Sequence, residues 1–304
     1  MKLSPGDGVD LHLHTTVHDG RWTPDGLVRH AAAHGIRCLA VTDHDMTAGI
    51  APARAAAGAH GLVVIPAVEV TTLWRGSEYH VLVYGGRLDP PAAPLAGLLE
   101  QIHRRQLERA RQWLASLARR GLALPSLAAV RRGRELMPIY VAGAVIRDGH
   151  VPDYAACVRL LRTLECDVEP AAPLEQVAAA AHAVGAVALI AHPGRNENGF
   201  AALWQDDLEA MVQEGPLDGV EVYHPNHPPR LQQYYLEFAR QRQLLVSAGS
   251  DSHGPAYARV PAAHPARLCW DLLERCWPAT GASAALTADI ARALRASSGP
   301  GTGD

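Results

Sequence analysis

The sequence predicts an α/β fold, a TIM-like barrel in which parallel strands alternate with helices. Short apolar runs of strand character recur along the 304 residues, and segments with helical punctuation separate most of them. This alternation is typical of parallel βα units. Histidines and carboxylates follow several of the runs. The predicted strands are Val9–Leu13, Cys38–Thr42, Leu62–Val70, His80–Tyr84, Val187–Ala191, Gly219–Tyr223 and Leu244–Ala248.

The segment after the first strand shows the helical punctuation most clearly. Thr23 can cap a helix, Pro24 suits its first turn, and the apolar positions that follow end at Gly35. Similar patterns predict four further helices beside the strands. These helices are Thr47–His60, Leu174–Val184, Ala201–Glu214 and Pro228–Arg242.

Residues 90–170 break this alternation. They begin with an arginine-rich helical pattern, Leu95–Arg120, and continue through prolines and glycines to a helix near Val141–Arg147. We interpret them as a mostly helical insertion or cap over the mouth of a catalytic barrel formed by residues 1–295. The polar, glycine-rich tail 296–304 is expected to be disordered.

Composition restricts the function. A chain that is 48% hydrophobic can bury an enzyme-sized core, and its formal charge of −3 gives no overall attraction to nucleic acid or anionic membranes. An anionic substrate therefore needs a local cluster of cations, which metal ions can supply. The five cysteines form no C-x-x-C pair, and no leader or membrane span is evident. We expect a cytoplasmic protein.

The first two strands carry candidate metal ligands at their ends. Because side chains alternate along a strand, His12 and His14 share one face and can chelate one ion, although such a pair alone also fits ordinary strand histidines. Asp19 follows in an Asp-Gly pair. His44 closes the second strand, and we interpret Asp45 beside it as the cap of the next helix.

Glu69 lies in an otherwise apolar strand, where a carboxylate is costly unless it is paired or bound to metal. Its two oxygens can bridge two cations. His80 opens the next strand, and the later strands are followed by His192, His224, Asp251 and His253. In parallel α/β barrels these strand ends form the catalytic face.

The candidates are too numerous for one tetrahedral ion, so the sequence predicts two or three divalent metals. Such closely spaced ions suit phosphoester hydrolysis. Imidazole and carboxylate ligands suit manganese, iron and zinc alike. The predicted ligands are His12, His14, Asp19, His44, Glu69, His80, His192, Asp251 and His253.

The motifs D-L-H-L-H, D-G, V-T-D-H-D, A-H-P-G-R and S-D-S-H, with Glu69 and His80, resemble the polymerase and histidinol phosphatase (PHP) family. They are most similar to its branch of 3′,5′-nucleotide bisphosphate phosphatases and TrpH/ribonuclease AM exonucleases. The resemblance implies a distorted (β/α)₇ barrel. It also implies a metal-dependent phosphoesterase that acts on a small nucleotide or sugar phosphate or, alternatively, on short RNA, through attack of a metal-bridging hydroxide on phosphorus.

The resemblance further implies roles for individual residues. Arg195 and His224 would hold phosphate oxygens. Independently of the resemblance, we interpret Trp74 as a loop residue near the site, which could stack on a base or equally cover the barrel rim. One metal would bind His12, His14, Glu69 and Asp251, a second Glu69, His80 and His192, and a third Asp19, His44 and His253.

Two features depart from the family pattern. His18 stands in an unusual lead-in to Asp19, where it is either an additional metal ligand or an exposed residue, and we favour exposure. Pro138 and Tyr140 stand where the branch has an Arg-x-His pair, which removes groups expected to grip a second phosphate.

Three alternatives compete with this interpretation. The first, an amidohydrolase acting on C–N or ester bonds, is disfavoured because Glu69 stands where a bridging lysine is expected. The second, a module that binds nucleotides without cleaving them, is disfavoured by the intact ligand set. The third concerns the arginines of Leu95–Arg120, which could form a wall for RNA; interspersed glutamates favour a solvated, salt-bridged helix face.

Overall fold

The computed structural model describes residues 3–196, 201–256 and 259–277; the predicted disordered tail lies outside them. The strands are β1 (Gly8–Asp10), β2 (Ile36–Val41), β3 (Val63–Trp74), β4 (Ser77–Gly85), β5 (Ala172–Pro173), β6 (Ala186–Ile190), β7 (Gly219–Tyr223), β8 (Leu245–Ala248) and β9 (His264–Pro265). The helices are α1 (Pro24–Ala33), α2 (Ile50–His60), α3 (Leu95–Arg119), α4 (Leu127–Arg131), α5 (Pro138–Arg147), α6 (Tyr154–Leu161), α7 (Leu174–Ala183), α8 (Gln205–Glu214), α9 (Pro229–Arg242) and α10 (Trp270–Cys276). A 3₁₀ helix, Ala266–Cys269, precedes α10.

The sheet forms a nearly closed barrel in the order β8-β7-β6-β4-β3-β2-β1-β9, with β5 paired to β3. Its two ends meet beyond β1 and β8. The backbone N–H of Leu11 donates to the carbonyl of Ala248 over 2.9 Å, and Leu13 forms a parallel bridge with Ser252. The predicted TIM-like α/β architecture is therefore confirmed.

One strand runs against the predicted direction. β4 is antiparallel to both β3 and β6, because a two-residue turn at Arg75 and Gly76 leaves no room for the helix that a parallel crossover requires. Both residues have positive φ, 48° and 78°, as the tightest hairpin turns require. The start of β4 consequently lies beside the end of β3, which places His80 opposite Thr71 at the face where the parallel strands end.

The first βα unit follows the sequence prediction closely. The Thr23 hydroxyl accepts from the N–H of Gly26 over 3.1 Å at the start of α1, and Gly35 has φ +77° after its end. The predicted capping role of Asp45 is wrong, since α2 begins only at Ile50. The Asp45 carboxylate instead accepts from the N–H and the hydroxyl of Thr71, over 2.8 and 2.7 Å.

Strands such as β2 are buried on both faces. Cys38 and Ala40 point into the barrel, whereas Leu39 and Val41 pack with the residues of α1 and α2. α10 packs near Gly85, at the end of β4 opposite to His80. The packed interior and α10 thus leave the other barrel end free for side chains with a chemical role.

The helices α3 to α6 form a separate layer beside the barrel mouth. The predicted helices α3 and α5 are present, and α4 and α6 were not predicted from the sequence. The helices α3, α5 and α6 share a hydrophobic cluster of their own, which contains Ala110, Leu117, Val141, Val145, Cys157 and Leu161. In the described residues, no helix combines the length and the apolar character needed to cross a membrane.

Candidate metal centre

The nine predicted ligands converge at the barrel end where the parallel strands finish. Their nitrogen and oxygen atoms form four overlapping groups, in each of which the atoms lie within 4.8 Å of one another. The groups are His14, Asp19, His44 and His253; His12, Glu69 and His192; His12, His14 and Asp251; and His44, Glu69 and His80.

Glu69 is the centre of this cluster and is fully buried. Its Oε1 lies 2.9 Å from Nδ1 of His80 and 3.0 Å from Nε2 of His192. Its Oε2 faces nitrogens of three other histidines at 3.1–3.2 Å, namely His12, His14 and His44. Each carboxylate oxygen therefore faces its own set of imidazoles, the arrangement expected of a bridging ligand.

Asp251 approaches the same nitrogens of His12 and His14 as Glu69 does. Its Oδ1 is 3.2 Å from Nε2 of His14 and 3.6 Å from Nε2 of His12. Its Oδ2 accepts from Nη1 of Arg259 over 2.6 Å. His12, His14 and Asp251 form one of the four groups, whereas Glu69, the remaining member of the first predicted ligand set, belongs to two others.

Of the other two sets, one is brought together and one is divided. The third set, Asp19, His44 and His253, is brought together with His14 as an additional member. The second set is divided, because His80 groups with Glu69 and His44, whereas His192 groups with Glu69 and His12.

Buried donor atoms at this cluster lack hydrogen-bond partners. In the described part of the chain these atoms include Nε2 of His12, both ring nitrogens of His14, Oδ1 of Asp19 and Oε2 of Glu69. Buried polar atoms are normally paired, because leaving one unsatisfied costs about 1–3 kcal/mol. Imidazole nitrogens and carboxylate oxygens are also the donors that manganese, iron and zinc accept. The cluster therefore fits divalent cations.

Burial and mutual charge set the protonation of these groups. Burial alone would raise the pKa of Glu69, but His44 and His12 hold that pKa well below its usual value, so the carboxylate is ionised. Burial lowers the pKa of His192 to about 3 and that of His44 well below its usual value. Both imidazoles are therefore neutral, the form that binds metal.

Three residues at this face have left-handed backbone conformations, which residues other than glycine rarely adopt. Asp45, His192 and Asp251 have φ values of 55°, 31° and 51°. Such conformations cost free energy and tend to concentrate at functional sites. All three follow the end of a strand; His192 and Asp251 contribute their own side chains to the cluster, whereas the Asp45 carboxylate accepts from Thr71.

His18 is buried, so the expectation that it is exposed is wrong. The segment from Thr15 to Gly20 folds tightly over the cluster, and a Cβ at Gly20 would lie 2.6 Å from the His14 backbone. Nδ1 of His18 lies 3.2 Å from Oδ1 of Asp19. His18 is therefore a neighbour of Asp19 rather than a surface residue.

Glu221 is a site residue that our interpretation of the sequence missed. It is fully buried in β7, where its Oε1 accepts from Nδ1 of His12 over 2.9 Å and its Oε2 accepts from the N–H of His192 over 2.6 Å. Burial would raise its pKa, but His12 and His224 lower it to about 2. The signal was available, because Glu221, like Glu69, is a carboxylate in an apolar strand. Its contact leaves Nε2 of His12 to face the cluster.

His224 does not lie where a phosphate-holding residue must lie. Its ring is buried behind Asp251, with Nε2 3.4 Å from Oδ2 of that residue and Nδ1 accepting from the N–H of Asn226 over 3.1 Å. The predicted contact between His224 and substrate is therefore wrong. The packed side chains at the end of β7 leave its ring no access to the cleft.

Arg195 is half-buried and lines the cleft over the cluster, as a phosphate-binding residue should. The turn that carries it is held by His227, whose Nε2 accepts from the N–H of Gly194 over 2.9 Å. A Cβ at Gly194 would lie 2.6 Å from the His227 ring. The glycine of the A-H-P-G-R motif is therefore required by close packing.

Trp74 is the last residue of β3 and not a loop residue, and its side chain is buried in the core. Its Nε1 donates to Oε2 of Glu214 over 2.7 Å, away from the metal ligands. The predicted substrate contact of Trp74 is therefore wrong, because the hairpin turn directs the indole toward α8.

A cleft of about 1280 Å³ opens above the cluster. Residues of the metal cluster form its floor, and α3, α5 and α6 form much of its wall. Trp113, Tyr140 and Tyr154 give the wall an aromatic surface. Its cationic residues are Arg21, Arg109, Arg132, Arg134, Arg162, Arg195 and Arg259. An anionic molecule with a planar group matches this lining.

The fold and the site define a metal-dependent phosphoesterase, and comparisons with known proteins identify the family. The PHP domain profile matches residues 10–145. The 3′,5′-nucleoside bisphosphate phosphatase of Chromobacterium violaceum is 33% identical over 256 residues, 81% of this chain and 87% of the relative. The 5′-3′ exoribonuclease Rnm of Escherichia coli is 33% identical over 253 residues, 81% of this chain and 85% of the relative. The chain belongs to the PHP family.

A solved structure supports both the fold and the class. A protein from Bifidobacterium adolescentis, described as a metal-dependent phosphoesterase, superimposes with a TM-score of 0.76 at 26% identity, over 91% of this chain and 99% of that protein. The chain is accordingly a hydrolase of phosphoric esters. This class agrees with the phosphatase and exoribonuclease relatives named above. A solved structure from Chromobacterium violaceum, described as an amidohydrolase, also superimposes, with a TM-score of 0.72 at 29% identity over 88% of this chain and 96% of that protein.

Proposed function

We propose that this chain hydrolyses a phosphoester of a small nucleotide or sugar phosphate with two or three divalent ions, manganese, iron or zinc, held by the nine clustered residues. The observation that carries the proposal is the position of Glu69. One of its oxygens faces His80 and His192, and the other faces His12, His14 and His44. A carboxylate in this position suits a pair of adjacent cations.

Bound divalent ions would neutralise phosphate charge and make a hydroxide nucleophile available at neutral pH. The side chains supply the rest of the chemistry. Arg195, on a turn fixed by His227, would bind phosphate oxygens, and Glu221 would fix the tautomer of His12. We propose that α3 to α6 act as a cap, since they contribute much of the wall of the cleft above the cluster.

Tyr140 and Pro138 restrict the class of substrate that the site can prefer. The hydroxyl of Tyr140 donates to the backbone carbonyl of His18, and Pro138 begins α5 without any cationic group. Where the family branch has an Arg-x-His pair expected to bind a second phosphate, this chain therefore has a contact within the protein. We propose that the preferred substrate carries its reacting phosphate at the metals and needs no second phosphate at α5, unlike the bisphosphate of the Chromobacterium relative.

A phosphodiesterase acting on the 5′ end of short RNA is the second candidate. It is favoured by the size of the cleft, because about 1280 Å³ exceeds the roughly 300–1,000 Å³ of ordinary small-molecule pockets. The exoribonuclease Rnm relative is named for this type of activity.

Two measurements test the proposal. Elemental analysis of the purified protein should find at least two equivalents of transition metal, and fewer would contradict the multinuclear centre. A panel of p-nitrophenyl phosphate, nucleoside mono- and bisphosphates, cyclic phosphates and short RNA should then be assayed with Mn²⁺. We expect turnover of monophosphates with little gain from a second phosphate; a strong preference for bisphosphates would contradict the proposed role of Tyr140.

A further inference from the structure

We propose that Arg134 and Tyr140, two residues of the helical wall, are positioning residues for Asp19 and thereby set the affinity of the cation at Asp19, His44 and His253. The inference rests on the metal-binding role proposed above for those three residues. Arg134 precedes α5 and Tyr140 lies within it, so the ligand loop and the wall would act as one unit.

The contacts converge on the two peptide carbonyls that flank Asp19. Nη1 of Arg134 donates to the carbonyl of His18 over 2.9 Å and to that of Gly20 over 3.0 Å. The hydroxyl of Tyr140 donates to the same His18 carbonyl. Three donor contacts from the wall therefore fix the backbone on both sides of a single ligand.

The two donors are themselves held in place. The guanidinium carbon of Arg134 lies 4.8 Å from the centre of the Tyr140 ring, and Tyr140 is only 5% exposed. Burial raises the pKa of Tyr140 to about 12, so its phenol remains a hydrogen-bond donor. α5 packs on α3 and α6 through Val141 and Val145, which gives the donors a rigid base.

The Asp19 carboxylate contacts imidazoles at distances of 3.2 Å or more, which are longer than the contacts of Arg134 to the backbone on either side of it. Its carboxylate oxygens lie 3.2 Å from Nδ1 of His18, 3.4 Å from Nε2 of His253 and 3.9 Å from Nδ1 of His14. Oδ1 is buried without a hydrogen-bond partner. The direction of this carboxylate therefore depends on its backbone, which the wall holds.

Loss of either donor should weaken the cation at Asp19 and leave the Glu69 sites intact. Residues that orient ligands typically change metal affinity 10- to 100-fold when substituted, and we expect an effect of about tenfold for Tyr140→Phe and for Arg134→Met. Tyr140→Phe, which keeps the charge of the cleft, should also lower kcat more than it changes KM, because a misplaced ligand affects the loaded centre rather than substrate binding.

The test is a Mn²⁺ titration of chelator-treated full-length protein against a competing indicator dye. Wild type should bind three ions, and Tyr140→Phe and Arg134→Met should lower the affinity of one of them about tenfold. Tyr154→Phe is the matched control, since it removes a phenolic hydroxyl from the same cleft without a contact to the Asp19 loop; it should keep all three affinities. The melting temperature of the metal-free protein should differ by no more than a few degrees among the four proteins, the change expected for the loss of one or two hydrogen bonds.

The outcomes separate the inference from the proposed function. A wild type that binds two ions would remove the Asp19 site and overturn the inference, while the phosphoesterase proposal at Glu69 would stand. Three ions with unchanged affinities in both variants would overturn the inference alone. A lower melting temperature of the metal-free variants with all affinities reduced equally would also overturn it, because it would show a general structural role.

Discussion

The floor and the wall of the cleft are built on opposite principles. At the floor, buried carboxylates and imidazoles face one another at about 3 Å with donor atoms left unpaired, as for Glu69, His12 and His14. On the wall, charged groups are paired and reach solvent, as where Arg109 contacts Glu78 and Glu169 over 3.5 and 3.2 Å.

This difference separates residues that perform chemistry from residues that hold a surface together. Partly exposed ion pairs contribute little, typically about 0–1 kcal/mol, because water screens them and their side chains lose entropy. Buried charges without water are costly unless a ligand or counter-charge compensates them. The cation site at the floor therefore lowers the stability of the metal-free fold. The wall is a salt-bridged helical layer that shapes the cleft and supplies a few hydrogen-bond donors.

The largest effect should come from the centre of the floor. Glu69→Gln removes the negative charge that faces five imidazoles, so we expect loss of bound metal and a fall in kcat of more than about 100-fold, beyond the range of residues that only orient ligands. Circular dichroism should show that the fold is retained. Metal content by elemental analysis and turnover of p-nitrophenyl phosphate are the measurements; unchanged turnover would remove Glu69 from the centre.

A smaller effect is expected for Glu221, which contacts the predicted ligand His12 and is not itself a predicted ligand. Glu221→Gln weakens the hydrogen bond that orients His12 and should reduce metal affinity about 10- to 100-fold. The matched control is Glu214→Gln, which alters a half-exposed carboxylate beside Trp74 and should leave metal affinity unchanged. Mn²⁺ titration distinguishes the two, and equal behaviour of both variants would show that Glu221 does not support the site.

Substitution of Arg195 tests whether a residue that lines the cleft binds substrate without holding the metals. Arg195→Met should lower kcat/KM about tenfold, because a charge-assisted hydrogen bond to phosphate is worth about 1.5–3 kcal/mol and neighbouring cations compensate in part. Metal content should stay at the wild-type level. Arg230→Met, an exposed arginine of α9, serves as control. A loss of metal in Arg195→Met would contradict a role limited to the substrate.

The smallest effect is expected on the outer wall. Arg119 and Glu165 form an exposed pair at 2.7 Å, with side chains 57% and 81% accessible. Arg119→Met should change the free energy of unfolding by less than about 1 kcal/mol and leave kcat/KM unaltered. Urea denaturation measures the first quantity. A change of several kcal/mol would show that the wall depends on its charges, contrary to the comparison with the floor.

Local sequence patterns determined most of the barrel and its ligand set. The apolar runs placed the strands within a few residues, and the alternation of side chains put His12 and His14 on one face. Glu69 was recognisable because burial makes an isolated carboxylate expensive. These inferences needed only neighbours along the chain and the rule that parallel strand ends meet at one face.

Only the tertiary structure decided how distant segments combine. His12 and Glu221 are 209 positions apart and Tyr140 lies 122 positions from His18, so neither contact leaves a periodic trace in the sequence. The two-residue turn between β3 and β4 makes β4 antiparallel and places Trp74 in the core. The fold of the loop around Asp19 buries His18. Sequence periodicity reports which face of a segment is apolar, whereas the partners of that segment depend on the closed barrel and the helices packed beside it.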